Sequence, residues 1–297
     1  KEVISRAKRF GFQGIELDAR APHAMPYLLS ERDRQEIVEN LDREGIELSA
    51  IAGRNDFSSP VIEHRDANVQ LVVALIRLCR DLGAPVLRVL TAMAGSSRLN
   101  GRGTYEVARP AYAMAFPQTP EMDRWKYCLA CFRTVARVAE DEGVILALQN
   151  HPPVVRNHTD CLAMIEEVDS PNFQMSFDVS GERAWQSTEW LLAAAHRIGD
   201  RWVHSHYSGD FKRNPDGSVE PVPLGRPLNP KGSLAWNTAA WVQGMFEVGY
   251  SGYVNYESCT PTYLPNGELV PIDVIDERVQ MARDYMSSLF AKYEDKE

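Results

Sequence analysis

Apolar positions along the chain follow two rhythms that alternate from end to end. Short β-branched or apolar runs at 14–17, 48–52, 86–90, 145–150, 174–178, 202–207 and 253–257 read as strands. Between them, apolar stripes at the 3.6-residue period predict helices near 2–10, 31–44, 66–82, 121–142, 160–168, 188–198, 234–248 and 273–292. Ser30, Thr159, and Ser187 with Thr188 stand where helix N-caps are expected. Gly11, Gly45, Gly83, Gly143 and Gly249 stand where helices hand over to the next segment. Strict alternation predicts a parallel sheet. Seven strands with eight helices, the chain opening on a helix, predict a (β/α)8 TIM barrel whose first strand is absent from this chain. The run at 14–17 is then the second barrel strand. No Gly/Ser linker and no break in composition divides the chain, so residues 1–297 read as a single domain.

Three connections are long: 91–120, 208–233 and 259–272. Each leaves the C-terminal end of a strand, the face on which such barrels build their sites. The stretches 93–119 and 208–233 are therefore expected to wall a pocket and set substrate choice. Pro215, Pro221, Pro223, Pro227 and Pro230 would stiffen the second of these.

Composition narrows the function. The 297 residues carry 32 basic and 41 acidic side chains, a net charge of -9. A nucleic-acid partner would call for a basic surface, and none is built here. No apolar run is long enough for a membrane span. The N-terminal segment is an amphipathic helix fragment without the apolar core of a signal peptide. The cysteines, Cys79, Cys128, Cys131, Cys161 and Cys259, are odd in number and irregular in spacing. That suits a reducing compartment, and so a cytoplasmic protein, better than a disulfide framework. Cys128 and Cys131 form a CxxC inside an apolar helical stripe, with no second Cys/His pair beside it. Core packing is the reading, ahead of zinc or redox chemistry.

Ionisable groups gather where apolar strands stop, in ILALQNH, QMSFDVS, WVHSHYSGD and YVNYESC. Alternate strand residues share a face, so Gln149 pairs with His151, and His204 with His206. Four successive strands thus offer Gln149 or His151, Asp178, His204 or His206, and Glu257. Mixed oxygen and imidazole donors of this kind suit Mn²⁺, Zn²⁺, Co²⁺ or Mg²⁺.

The stretches GFQGIEL (11–17), LGAPVLRV (82–89), GVILALQNH (143–151), SPNFQMSFDVS (170–180), GDRWVHSH (199–206) and GYSGYVNYES (249–258) stand in an order that covers nearly the whole chain. In them the sequence resembles the xylose-isomerase-like TIM barrels, the sugar phosphate isomerase/epimerase superfamily. The resemblance implies one divalent metal ion, Mn²⁺ before Mg²⁺, Co²⁺ or Zn²⁺, held by Gln149, Asp178, His206 and Glu257. It favours His206 over His204, which would lie one layer deeper, behind the ligand or against the substrate. Glu16 and Arg88 are strand-end charges that could bind substrate hydroxyls, with ion pairing to neighbours as the alternative. Arg156, His158, Asp210, Lys212 and Arg213 are weaker candidates on the following loops.

This chain departs from the family at Gln149, where relatives commonly have Glu. A Gln carbonyl oxygen still suits a hard cation, but one negative charge is gone. At about 5 Å and an effective dielectric near 20, that charge is worth on the order of 3 kcal/mol. An amide cannot take a proton, so symmetrical exchange between two carboxylates is disfavoured. His151 is the substitute base, and Glu257 the second acid–base group.

The resemblance implies a metal-dependent isomerase or epimerase acting on a sugar or keto-sugar, by proton abstraction next to a metal-bound carbonyl. The alternative is a lyase performing β-elimination on an oxidised glycoside, as in C-glycoside-deglycosylating barrels that work with a small β-rich partner subunit. An inert sugar-binding barrel and an endonuclease IV-like repair enzyme rank lower. Only seven His and an acidic chain oppose the last of these. No Gly-rich phosphate loop is present, which points to unphosphorylated substrates. Oligomeric state, including a homo-oligomer, stays open.

Overall fold

The computed structural model describes residues 2–21, 23–93, 97–99, 102–104, 117–182, 187–222, 237–258 and 268–294. Its strands are β1 (Gly14–Asp18), β2 (Glu47–Ala52), β3 (Val86–Val89), β4 (Ser97–Leu99), β5 (Arg102–Thr104), β6 (Ile145–Gln149), β7 (Phe173–Ser176), β8 (Trp202–Tyr207), β9 (Asp210–Arg213), β10 (Val219–Val222) and β11 (Val254–Tyr256). Its helices are α1 (Glu2–Arg9), α2 (Glu31–Glu44), α3 (Ile62–Leu82), α4 (Glu121–Glu142), α5 (His158–Val168), α6 (Thr188–Ile198), α7 (Thr238–Glu247) and α8 (Ile272–Glu294). Seven strands form one parallel sheet in the order β1-β2-β3-β6-β7-β8-β11. Helices lie between successive strands, which is the TIM-barrel arrangement with seven strands among the described residues.

Residues of β2, β3 and β6 are buried almost throughout. A strand covered on both faces needs apolar residues at nearly every position, which is why these read as continuous runs. The layer between sheet and helices is built on Leu75, Ile76, Phe132, Phe173 and Trp241, all fully buried. The barrel interior is floored by a separate small cluster, Ala50, Val86 and Ala147, with Ile145 and Val203 against it. Two irregularities shape this interior. Between β7 and β8, Met175 pairs with Trp202 but Ser176 pairs with His204. The extra residue leaves Trp202 in the outer core and turns His204 inward. A similar shift between Ile15 and Glu16 of β1 aligns Glu16 with Ala50.

Capping chemistry explains most helix ends. Ser30 and Asp33 form a reciprocal capping box on α2, and Ser187 caps α6. The cap of α5 is Asn157, not Thr159: its Oδ1 accepts from Asp160 N–H at 3.0 Å, so the helix starts earlier. Helix α3 likewise begins at Ile62, ahead of the expected 66. Gly45, Gly83 and Gly143 close their helices in the left-handed conformation. The CxxC lies in the buried stripe of α4. Burial pushes the Cys131 thiol up to about 11, and raises Cys128 well above its ordinary value, so neither is a ready thiolate. Cys259 lies outside the described residues.

No described helix is long and apolar enough to cross a membrane. Of the stretches 93–119 and 208–233, expected to wall the pocket, residues 94–96, 100–101, 105–116 and 223–233 lie outside the described residues. The described part of the second, the antiparallel pair β9–β10, leaves the C-terminal end of β8 and packs on α8. There Phe211 meets Tyr285 at 5.0 Å between ring centroids, and Arg213 pairs with Asp284 at 2.7 Å.

Candidate metal centre at the barrel mouth

Strands β6, β7, β8 and β11 deliver Gln149, Asp178, His206 and Glu257 to one place. Gln149, Asp178 and His206 are buried, and the Glu257 side chain is 39% exposed. Asp178 is fixed on all sides. One carboxylate oxygen accepts the His206 backbone N–H at 2.9 Å, and the other accepts the Gln149 amide. Its own backbone N–H and C=O are both bonded, each at 2.9 Å, by the side-chain amide of Asn150.

The two nitrogens of His206 have different surroundings. Nε2 stands 2.5 Å from Glu16 Oε2. Nδ1 is buried and without a hydrogen-bond partner. It faces Asp178 Oδ2 at 3.7 Å and Glu257 Oε2 at 4.0 Å. Ligand atoms of His206, Asp178 and Glu257 lie within 4.8 Å of one another. A buried polar atom left unsatisfied costs about 1–3 kcal/mol, and this one points between two carboxylates. That donor set fits a divalent cation. Gln149 borders the set with its nitrogen towards Asp178, and turning the terminal amide over presents the oxygen instead.

Glu16, Arg88 and His204, read from the sequence as substrate contacts, are engaged with one another below the mouth. His204 Nε2 stands 3.1 Å from Glu16 Oε2. Arg88 Nη1 donates to the Gly53 carbonyl at 3.1 Å, and its Nε stands 3.9 Å from Glu16 Oε1. Burial works against the Glu16 charge, but the two imidazoles hold its carboxyl well below the usual range. Burial likewise works against charge on His206, and Glu16 and Asp178 overcome it, raising its pKa well above the ordinary value. Burial prevails at His204 and lowers its pKa.

His151 does not continue the alternation of β6. Its backbone N–H turns back to the Gln149 carbonyl at 2.8 Å, ending the strand. Its ring Nδ1 stands 2.7 Å from the Pro152 carbonyl oxygen. A carbonyl only accepts, so Nδ1 carries the proton and Nε2 is the bare nitrogen. Burial lowers its pKa, the Arg88 charge adds to this, and Asp178 and Glu257 pull the other way.

Behind Asp178 stands a network that the sequence did not reveal. Glu182, buried, accepts from Asn150 at 3.1 Å, from the backbone and ring of His158 at 2.7 and 2.9 Å, and from Trp190 at 2.9 Å. Asn150 stands out of phase with Gln149, so strand alternation assigns it to the face away from the site. Of the weaker candidates, His158 belongs to this network, Arg156 pairs with Glu121, and Asp210, Lys212 and Arg213 lie on β9.

A family model described as xylose isomerase-like TIM barrel matches residues 4–285. Among solved structures, D-psicose 3-epimerase with D-tagatose from Clostridium cellulolyticum H10 superposes with a TM-score of 0.70 at 15% identity, covering 97% of this chain and 92% of that one. An L-ribulose 3-epimerase gives 0.70 at 18% identity, with 99% and 90% covered. The 3-keto-D-glucoside 4-epimerase from E. coli gives 0.65 at 18% identity, with 98% and 93% covered. At such identities the likeness is one of fold. The family model, by contrast, runs from α1 into α8 and takes in every strand that bears a mouth residue: this chain belongs to the xylose isomerase-like TIM-barrel family.

Proposed function

We propose that the chain is a divalent-metal-dependent enzyme that epimerises or isomerises a sugar or keto-sugar by moving a proton beside a carbonyl. The observation that carries this is the buried, unpartnered Nδ1 of His206 facing Asp178 and Glu257 at the barrel mouth. The shared fold with psicose, ribulose and keto-glucoside epimerases supports the substrate class. In this reading Asp178, His206 and Glu257 hold the ion, Mn²⁺ before Mg²⁺, Co²⁺ or Zn²⁺, and Gln149 completes the set through its amide oxygen. The ion, when bound, supplies Lewis-acid polarisation of a substrate carbonyl. His151 takes the proton on its bare Nε2. Glu257 is the second acid–base group, returning a proton to the carbon. Arg88, whose buried Nε makes no hydrogen bond although Glu16 stands 3.9 Å away, is the donor for a substrate oxygen.

A second reading is β-elimination on an oxidised glycoside. The observation favouring it is the amide at Gln149 with an imidazole beside it, which suits one base rather than two carboxylates. The test is turnover in deuterated water with Mn²⁺, on D-psicose and on a 3-keto-glucoside. Epimerisation puts one deuterium on the inverted carbon. Elimination releases the aglycone and an unsaturated keto-sugar. Both should stop on chelation, and Asp178→Ala should lose stoichiometric metal. Turnover untouched by chelator would sink the metal-dependent reading. A sugar-induced thermal shift without turnover would leave an inert binding barrel, and full metal in Asp178→Ala would refute the ligand set.

A further inference from the structure

Glu16 stands on β1 with its side chain 10% exposed, far in sequence from His204 and His206, yet its Oε2 lies within 3.1 Å of both Nε2 atoms. Those two nitrogens are 3.3 Å apart. The His204 tautomer follows from Glu16 itself: a carboxylate only accepts, so the proton sits on the Nε2 that faces it at 3.1 Å, while Nδ1 stands 3.5 Å from the Asn255 side-chain amide. His204 Nδ1 is therefore bare and its Nε2 carries the proton. With one N–H already aimed at Glu16, the neighbouring His206 Nε2 meets the same carboxylate oxygen at 2.5 Å as a second donor. That leaves His206 Nδ1 facing Asp178 and Glu257. Two backbone irregularities build this meeting point, one aligning Glu16 with Ala50 and one turning His204 inward.

We propose that Glu16 is a positioning residue of the metal centre, holding the His206 ring by its Nε2–H so that Nδ1 is the atom offered to the cation. The inference rests on the metal-dependent reading above. A carboxylate behind a metal-ligating imidazole fixes its tautomer and orientation and raises its basicity. The rival arrangement is a second cation held by Glu16, His204 and His206, whose ligand atoms also lie within 4.8 Å of one another. Two observations oppose it. The Arg88 guanidinium stands 3.9 Å from Glu16 Oε1, placing a positive charge where a cation would add another. Glu16 Oε2 is already taken by the two imidazoles.

The test uses the full chain with ¹⁵N-labelled histidine and ¹¹³Cd²⁺ as the probe. Wild type should bind one cadmium per chain, coupled to Nδ1 of His206, with Nε2 protonated. Glu16→Ala should weaken cadmium about 10–100-fold in competition with a chelating dye. Glu16→Gln, which keeps an acceptor for Nε2–H, should recover part of that loss. Melting curves establish that each variant is folded. If Glu16→Ala does not fold, Glu16→Gln and the wild-type coupling pattern decide. Coupling through His206 Nε2, two cadmium ions per wild-type chain, or cadmium affinity in the Glu16 variants equal to wild type would each overturn the inference. Absence of any cadmium binding by wild type overturns the metal-dependent reading and this one with it. Cadmium bound through Nδ1 with no response to Glu16 overturns this inference alone.

Discussion

A single backbone carbonyl decides what His151 can do. By accepting from Nδ1, the Pro152 carbonyl leaves Nε2 bare in the neutral ring, and burial lowers the pKa of that ring. General-base catalysis contributes about 10²–10⁴-fold, so His151→Ala should lower turnover by roughly that factor with metal content unchanged. Near-normal turnover in that variant would move the base role to Glu257. Gln149 makes the complementary case. Gln149→Glu places a second carboxylate against Asp178, at a cost without the ion and a gain with it. Mn²⁺ should bind more tightly to Gln149→Glu than to wild type, by up to about 3 kcal/mol for one charge at about 5 Å and an effective dielectric of 20. Equal affinities in the two proteins would show that residue 149 lies outside the field of the ion.

Between elements, Asn150 does for Asp178 what a further ladder rung would do, since β7 ends at Ser176 and Asp178 lies beyond it. Its amide spans the backbone N–H and C=O of Asp178, and Glu182 ties it to α5 and α6 through His158 and Trp190. Gly181 has no room for a side chain: a Cβ there would stand 2.1 Å from the Asn150 carbonyl oxygen. Burial opposes the Glu182 charge, but the His158 and Trp190 bonds hold its carboxyl below the usual range. A carboxyl depressed by folding contributes stability above its unfolded pKa and loses it as pH falls through the folded one. Urea melts should therefore show wild type losing stability below the ordinary Glu range, and Glu182→Gln losing less of it there. An unchanged pH slope in Glu182→Gln would count against this. At neutral pH Glu182→Ala should destabilise by roughly 3 kcal/mol, the scale of removing one partner from a buried charged network. The sequence made Gln149, Asp178, His206 and Glu257 legible because each ends an apolar run, where a polar residue has no packing reason to be. Asn150 was not legible, because alternation assigns it to the opposite face, and Glu182 was hidden because its partners come from three later or earlier segments. The Asn157 cap escaped for a smaller reason: Asn157 and Thr159 are both capping types two positions apart, and only the bond to Asp160 N–H separates them.

For the molecule as a whole, the question is how the sheet is held where no described ladder joins β11 to β1. Side chains span that seam. The Tyr253 hydroxyl donates to Glu47, and the Asn255 side chain reaches Ser49 at 3.0 Å and His204 at 3.5 Å. Outside, Arg6 and Arg9 of α1 pair with Asp276 of α8. Gly14 lets the seam close, since a Cβ there would stand 2.8 Å from the Tyr253 ring and 3.1 Å from the Glu47 carbonyl oxygen. Overpacking of this kind typically costs about 1–3 kcal/mol, so Gly14→Ala should lower stability in urea by that amount. The same substitution bears on the site, because Glu16 is two residues further along β1 and holds His206 from across the interior. A β1 displaced by the new methyl carries the Glu16 carboxylate with it, and cadmium affinity should fall although no ligand has changed. Tyr253→Ala removes the ring that the methyl strikes. The double variant should therefore recover part of both losses relative to the sum of the single changes, which is coupling that a double-mutant cycle reads directly. Stability lost in Gly14→Ala with cadmium affinity fully retained would separate the seam from the metal centre. It would mean that Glu16 keeps its place by its bonds to His204 and His206 rather than by the set of its strand.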